Sequence, residues 1–187
     1  EDEVEKAEYL NIIQKNSNLL LQLINDILDL SRIESGKSEM NFQLVEMTGL
    51  IDEVEKVHRL KMKTGIRLNV ICPDEEIWIM VDRNRITQVL FNFLSNAFKN
   101  VPDGGTVSVE LDVKPYSELT FFLPAKLNKY KNTEIRYLTI SIQDNGVGIA
   151  PDELEKIFQP FYQVAQNEHS KSGTGIGLSL SKAIIEM

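Results

Sequence analysis

NFLSNAFKN, residues 92–100, is the stretch that decides the fold. It lies in an apolar helical pattern through Ile86, Val89, Leu90, Phe93, Leu94 and Ala97, which Asp82 is placed to cap. Asn92, Asn96 and Lys99 recur at spacings that put them on one face of consecutive turns. Asparagine has no propensity reason to occupy a helix interior, so two at this spacing suggest a ligand or a metal; a solvated face is the other reading of the helix taken alone. Two glycine strings follow in order, DNGVGI at 144–149 and GTGIGL at 173–178.

Around these strings the pattern is α/β. A short strand is expected at 41–45, a helix through Leu50, Ile51, Val54 and Val57 ending near Thr64 and Gly65, and strands at 67–71 and 77–81 joined by Pro73 and Asp74. After a turn at 102–105, residues 106–113 alternate as a strand, and a strand at 137–142 leads into Asp144. The segment 114–134 has no clear period and reads as an insertion.

The first segment is different in kind. From 3 to 33 it contains neither proline nor glycine, and Leu10, Ile13, Leu20, Leu23, Ile24, Ile27 and Leu30 make a stripe wider than a coiled-coil seam. Ser35, Gly36 and Lys37 supply the stop. Two readings stay open, a packing helix of the same domain and a bundle or dimerisation helix.

The 187 residues suffice for one main core, and the 28 acidic against 20 basic residues, a net charge of -8, disfavour a nucleic-acid surface. The single cysteine, Cys72, excludes an internal disulfide framework, and no apolar run is long enough to cross a bilayer.

The strings carry chemistry. A carboxylate at a strand end, Asp144, can accept a hydrogen bond from a base amino group while Gly146 and Gly148 permit close backbone approach; a plain turn cap is the alternative for an isolated Asp-Asn-Gly. Ser172, Gly173, Thr174, Gly175 and Gly177, just before the helical run from Leu178, offer backbone amides to phosphate oxygens without Rossmann or Walker spacing. The natural ligand of the combination is a magnesium nucleotide, with Asn96 giving an oxygen to Mg²⁺. Between the strings, Phe158, Phe161 and Tyr162 read as an anchor and 167–172 as a cover, or else as a small apolar cluster and an exposed loop.

Taken together, the strings resemble the catalytic and ATP-binding domain of bacterial sensor histidine kinases, within the GHKL family shared with Hsp90-type chaperones, DNA gyrase B and MutL. The resemblance implies a two-layer α/β sandwich with a mixed sheet covered by helices on one face (the Bergerat fold), preceded by a long α-helix. Asn92 to Lys99 resembles the N box, with Asn96 at the magnesium position, Asn92 one turn earlier and Lys99 toward phosphate. Asp144, Gly146, Gly148 and Ile149 match the first glycine box, Phe158 and Phe161 the F box, and Ser172 to Leu178 the second glycine box. Gln163 stands where an arginine often approaches phosphate.

Residues 18–37 look like the second helix of the dimerisation and histidine-phosphotransfer domain, so 1–37 is expected to be that incomplete domain and 38–187 an ATP-binding domain short of its last strands. The family places its phosphoacceptor histidine on the first helix; neither His58 nor His169 inherits that role. The resemblance implies ATP and Mg²⁺ as ligands and transfer of the γ-phosphoryl group to a histidine, then to an aspartate of a response-regulator receiver domain. It also implies a cytoplasmic position for this part, with no direct membrane contact, and a homodimeric parent of the kind anchored in the bacterial inner membrane. The competing classes are a scaffold or adaptor that keeps the pocket for packing, and an ATP-hydrolysing relative, which Asn92 disfavours because those enzymes use glutamate there.

Overall fold

A stretch without glycine or proline stays helical throughout: α1 spans Asp2–Glu34 in the computed structural model, which describes residues 2–61, 65–119, 134–164 and 173–187. Its end is a Schellman turn. Gly36 takes φ 66°, Gly36 N donates to Ile33 O at 3.0 Å and Lys37 N to Arg32 O at 2.9 Å, satisfying carbonyls that the last turn leaves open. There follow β1 (Gln43–Glu46), α2 (Met47–Lys61), β2 (Arg67–Ile71), β3 (Trp78–Val81), α3 (Arg83–Asn100), β4 (Thr106–Pro115), β5 (Arg136–Asp144) and α4 (Gly177–Glu186). The chain divides into two compact units, each with its own buried residues.

The first unit comprises Glu1–Gln43, Val81–Phe93 and Gly148–Met187. Its core is Val89 of α3 with Ile176, Leu180 and Ile184 of and before α4, and Leu23, Leu30 and Ile33 of α1 pack against it with Met40 and Phe93. One flank of α1 is thus a packing helix, while Leu10, Ile13, Leu20, Ile24 and Ile27 on the other stay exposed. Polar contacts reinforce this packing. Arg85 forks onto Asp29, Nη1 to Oδ2 at 2.8 Å and Nη2 to Oδ1 at 3.3 Å, and Gln88 Nε2 donates to the same carboxylate at 3.4 Å. Burial alone would raise the Asp29 carboxyl, but these hydrogen bonds and the Arg85 charge hold it below the usual range.

Asp82, only 8% exposed, caps α3 as its sequence position predicts. Its Oδ1 accepts from Arg85 N at 3.1 Å and its Oδ2 from Asn41 N at 2.9 Å.

The second unit comprises Leu44–Met80 and Leu94–Val147. Its sheet is mixed, in the order β2-β4-β5, with β2 parallel and β5 antiparallel to β4. Val107, Val109 and Leu111 of β4 and Leu68 of β2 are buried, as are Leu50, Ile51 and Val54 of α2 and Leu94 and Ala97 of α3. Strand alternation and helical period therefore supply the two sides of one core. Arg59 Nη2 ties α2 to β2 through Leu68 O at 2.8 Å. His58 is a packing residue, 6% exposed, with Nδ1 2.9 Å from Val54 O and its ring stacked on Phe98 at 5.7 Å.

β1 and β3 form a separate two-stranded sheet. Glu46 caps α2 by accepting from the Thr48 and Gly49 amides. Strand ends shift where the ladder overrides local pattern: β1 ends one residue later than expected, and the pairs Lys114↔Tyr137 and Pro115↔Arg136 lengthen β4 and β5. The expected insertion therefore begins as strand and continues in a short 3₁₀ turn, Tyr116–Glu118, while 120–133 lie outside the described residues. No helix among the described residues is long and apolar enough to cross a membrane.

Leu180, fully buried in the first core, sets a packing test: Leu180→Ala should cost about 2–5 kcal/mol in urea denaturation, and a loss below about 1 kcal/mol would contradict the packing described. Asp82 sets a pH test. Burial raises its carboxyl, but the Asn41, Arg85 and Asn84 amides outweigh that and lower it. A folded pKa below the unfolded one contributes stability above the unfolded value of about 4, lost as pH falls through the folded value. Asp82→Ala should cost about 1–2 kcal/mol at neutral pH, and its deficit against the parent should shrink below about pH 4; a pH-independent deficit would mean the carboxylate charge is not what stabilises α3.

Candidate functional site

Helix α3 carries Asn92 in the first unit and Asn96 and Lys99 in the second, so each unit is built up separately.

In the second unit, β5 ends at Asp144 and the chain turns against the end of α3. Asp144 Oδ1 accepts from Gly146 N at 2.8 Å, the local Asx turn expected of this residue type. Asp144 is exposed, and among the described residues no other hydrogen bond engages its carboxylate, so an acceptor oxygen remains for a ligand. Asn145 is locked to the start of β4 from both sides, its Oδ1 accepting from Thr106 N at 2.7 Å and its N donating to Thr106 O at 3.2 Å. Gly146 is glycine for space: a Cβ there would lie 2.4 Å from the Asn100 carbonyl oxygen. That contact brings Asp144 beside the last turn of α3, where Asn100 Nδ2 bonds Asn96 O at 2.9 Å.

Asn100, the residue that meets Gly146, follows Lys99 directly and lies one helical turn after Asn96. The side-chain amide of Asn96, half-buried, makes no hydrogen bond among the described residues. Lys99 is exposed as a residue, yet burial around its ammonium lowers its pKa. Among the described residues no group of His, Cys, Asp and Glu could hold a metal by itself. An amide oxygen such as that of Asn96 suits Mg²⁺ when substrate phosphates and water complete the shell.

In the first unit, the second glycine string opens α4. Gly175 takes φ 71°, and a Cβ on it would meet Phe161 backbone atoms at 3.0 Å. Phe161 itself has φ 66° and donates its N–H to Gly175 O at 2.9 Å, so it buttresses the string through its backbone although the residue is 62% exposed. Gln163 Nε2 ties Gly173 O at 2.9 Å. Asn92 Nδ2 donates to Gly177 O and to Ser181 Oγ, each at 3.1 Å, fastening α3 to the first turn of α4. The residue before α4, Ile176, has no side-chain group to cap it, and the first amides of the helix, from Gly177 and Leu178 onward, are open to an anion. Gly148 takes φ 72° and Ile149 is exposed. Phe158 lies in a short 3₁₀ turn, Lys156–Phe158, with Lys182 Nζ over its ring at 5.7 Å.

Ser172, His169 and the expected cover at 167–172 lie outside the described residues. Sequence reading assigned nothing to Asn145, Ser181, Arg85 or Asp29. Their partners lie tens of residues away, and only the position of Asn145 inside DNGVGI was a signal.

Comparison with known proteins fits this geometry. The model of the His Kinase A (phospho-acceptor) domain matches residues 1–36. Histidine protein kinase DivJ of Caulobacter vibrioides is 31% identical over 97% of this chain and 27% of its own length; sensor histidine kinase WalK of Bacillus subtilis is 29% identical over 95% and 26%. The chain thus spans about a quarter of the length of these curated relatives. Among solved structures, full-length ShkA in complex with AMPPNP superposes with TM-score 0.72 at 24% identity, over 96% of this chain and 33% of that one. Histidine kinase ThkA in complex with the response regulator protein TrrA gives TM-score 0.59 at 23% identity, over 83% and 40%. At these identities the likeness concerns the fold. Residues 81–187, more than half of the chain, match the family described as histidine kinase-, DNA gyrase B- and HSP90-like ATPase, and to that family this chain belongs.

Proposed function

We propose that this chain is the ATP-binding catalytic part of a two-component sensor histidine kinase, with 1–37 the second helix of its dimerisation and phosphotransfer domain and 38–187 the nucleotide-binding domain. The observation that carries the reading is the fit of Gly146 against the Asn100 carbonyl, which sets the open carboxylate of Asp144 beside the turn of Asn96 and Lys99. Asp144 accepts the adenine amino group, and Gly146, Gly148 and Ile149 admit the flat ring. Asn96 gives its amide oxygen to Mg²⁺, and Lys99 faces phosphate. The amides of the string from Ser172 to Leu178 receive the polyphosphate, with the Phe161 backbone behind Gly175. Bound Mg²⁺ offsets charge on the phosphate oxygens.

The γ-phosphoryl group moves from ATP to a histidine nitrogen on a helix other than those described: the bond to the bridging oxygen of the departing ADP breaks as a phosphorus–nitrogen bond forms. This chain contributes position and fixed donors. Asn92 acts by holding Gly177 and Ser181, and as an amide it cannot activate water, which disfavours the ATPase reading. His58 is committed to packing and accepts no phosphoryl group. Passage onward to a receiver-domain aspartate, and a homodimeric parent, complete the proposal; the ThkA complex with TrrA supports the first and the phospho-acceptor match at 1–36 the second.

Calorimetric titration of the folded chain with a non-hydrolysable ATP analogue tests the reading, and binding that strengthens with Mg²⁺ is expected. Folded protein that binds no nucleotide would leave the scaffold reading in its place. Asn96→Ala should weaken the Mg²⁺-dependent affinity roughly tenfold or more; unchanged affinity at saturating Mg²⁺ removes Asn96 from that role. Asp144→Asn should cost roughly 10- to 100-fold for ATP and narrow its preference over GTP, whereas an unaltered ATP-to-GTP ratio would exclude Asp144 from base recognition.

A further inference from the structure

Apolar side chains lie on the outer face of the small sheet formed by β1 and β3. Val45 and, just after its strand, Met47 are buried, and Ile77 and Ile79 are half-buried. Successive side chains along a strand point to opposite faces, so Leu44, Trp78 and Met80 share the outward one. Each of the three is more than half exposed. The pairing continues past the strand ends, where Met47 N donates to Ile77 O at 2.8 Å, and holds the three side chains as one surface.

Strand positions that face only water are ordinarily polar. Tryptophan, methionine and leucine gathered on a surface mark a contact instead. Trp78 is prepared for one. Its indole Nε1 donates to Glu76 Oε2 at 3.0 Å, which satisfies the ring's polar atom and leaves its apolar body for a partner.

The charge around this face has one sign. Residues 44–55 contain four acidic side chains and residues 68–80 three, and neither stretch contains a lysine or arginine. Asp74 and Glu75, exposed just before β3, supply an acidic rim. A second copy of the chain would set carboxylates against carboxylates, so like charge disfavours self-pairing through this face.

We propose that the outer face of β1 and β3 is a docking surface for a basic polypeptide partner, which sets large apolar side chains on Leu44, Trp78 and Met80 and lysine or arginine against Asp74 and Glu75. The surface belongs to the second unit and stands independently of the nucleotide reading.

Trp78 is the single tryptophan of the chain, so its fluorescence reports occupancy of the face directly. The probe is a tryptophan-free peptide with an apolar centre between lysines, Lys-Lys-Leu-Ile-Leu-Lys-Lys, compared with a counterpart carrying glutamate at every lysine position. The lysine peptide should change Trp78 emission saturably, and less strongly as salt is added; the glutamate peptide should not. Leu44→Ser with Met80→Ser, and separately Asp74→Lys with Glu75→Lys, should each weaken binding about tenfold or more, in variants whose circular dichroism matches the parent. No binding of the lysine peptide, equal binding of the two peptides, or binding that either pair of substitutions leaves unchanged would overturn the proposal. Emission that shifts with protein concentration in the absence of peptide would overturn it in favour of self-association.

Discussion

Burial of Ile176, Leu180 and Ile184 against Val89 is the constraint on which the first unit depends, because it fixes where α4 begins and therefore where the glycine string lies. A helix start is a poor ligand site unless it is immobile. Here the apolar contact sets the depth of α4, and the Asn92 amide, bonded to Gly177 O and Ser181 Oγ, sets its rotation. Losing that amide would leave the Ser181 hydroxyl bonded to Gly177 O at 2.8 Å but would release α4 from α3, a cost on the order of 1 kcal/mol. The polar face of α3 is therefore structural at position 92 and open at position 96, although both are asparagines in one motif.

The glycines divide in the same way. Gly146 is required by space, since the Asn100 carbonyl occupies the volume a side chain would need. Gly175 is required by conformation as well as by space, with φ 71° and Phe161 backbone behind it. Gly177 is in neither position: a Cβ there would touch the Asn92 amide only at ordinary contact distance, 3.4 Å. Its hydrogen atom instead leaves the first turn of α4 uncluttered, which suits a helix start that receives phosphate.

Much of this was legible beforehand where local pattern and tertiary structure agree. β2 coincides with its expected range at 67–71, α3 begins after its predicted cap, and Gly36 ends α1 in the left-handed turn its neighbours implied. Legibility failed where a distant partner decides. Pro115 stays in β4 because it pairs with Arg136 across an antiparallel ladder, and nothing near it in sequence announces that. Glu46 caps α2 although a short polar residue is the usual choice, and Gln163, read as a missing arginine, holds Gly173 O. The turn at Asp144 was readable because the bond from Gly146 N to its carboxylate is local; the hold of Asn145 on Thr106 and the approach of Gly146 to Asn100 were not, because those partners lie on other elements.

The composition of α1 argues that its packing on α4 is meant to be reversible. A row of five half-buried positions made wholly of leucine and isoleucine would bind its partner with little reason to release it. Two of the five are aspartates, and a half-buried carboxylate is tolerated only with a partner. Asp29 has a guanidinium fork, whereas burial and the like charge of Asp29 push the Asp26 carboxyl above the usual range. Arg85 alone would register the helix, so a second carboxylate adds little to register and subtracts from strength. The opposite flank of the same helix, with Leu20, Ile24 and Ile27 exposed, carries unspent apolar surface. A helix packed weakly on one side and apolar on the other is suited to exchange one neighbour for another.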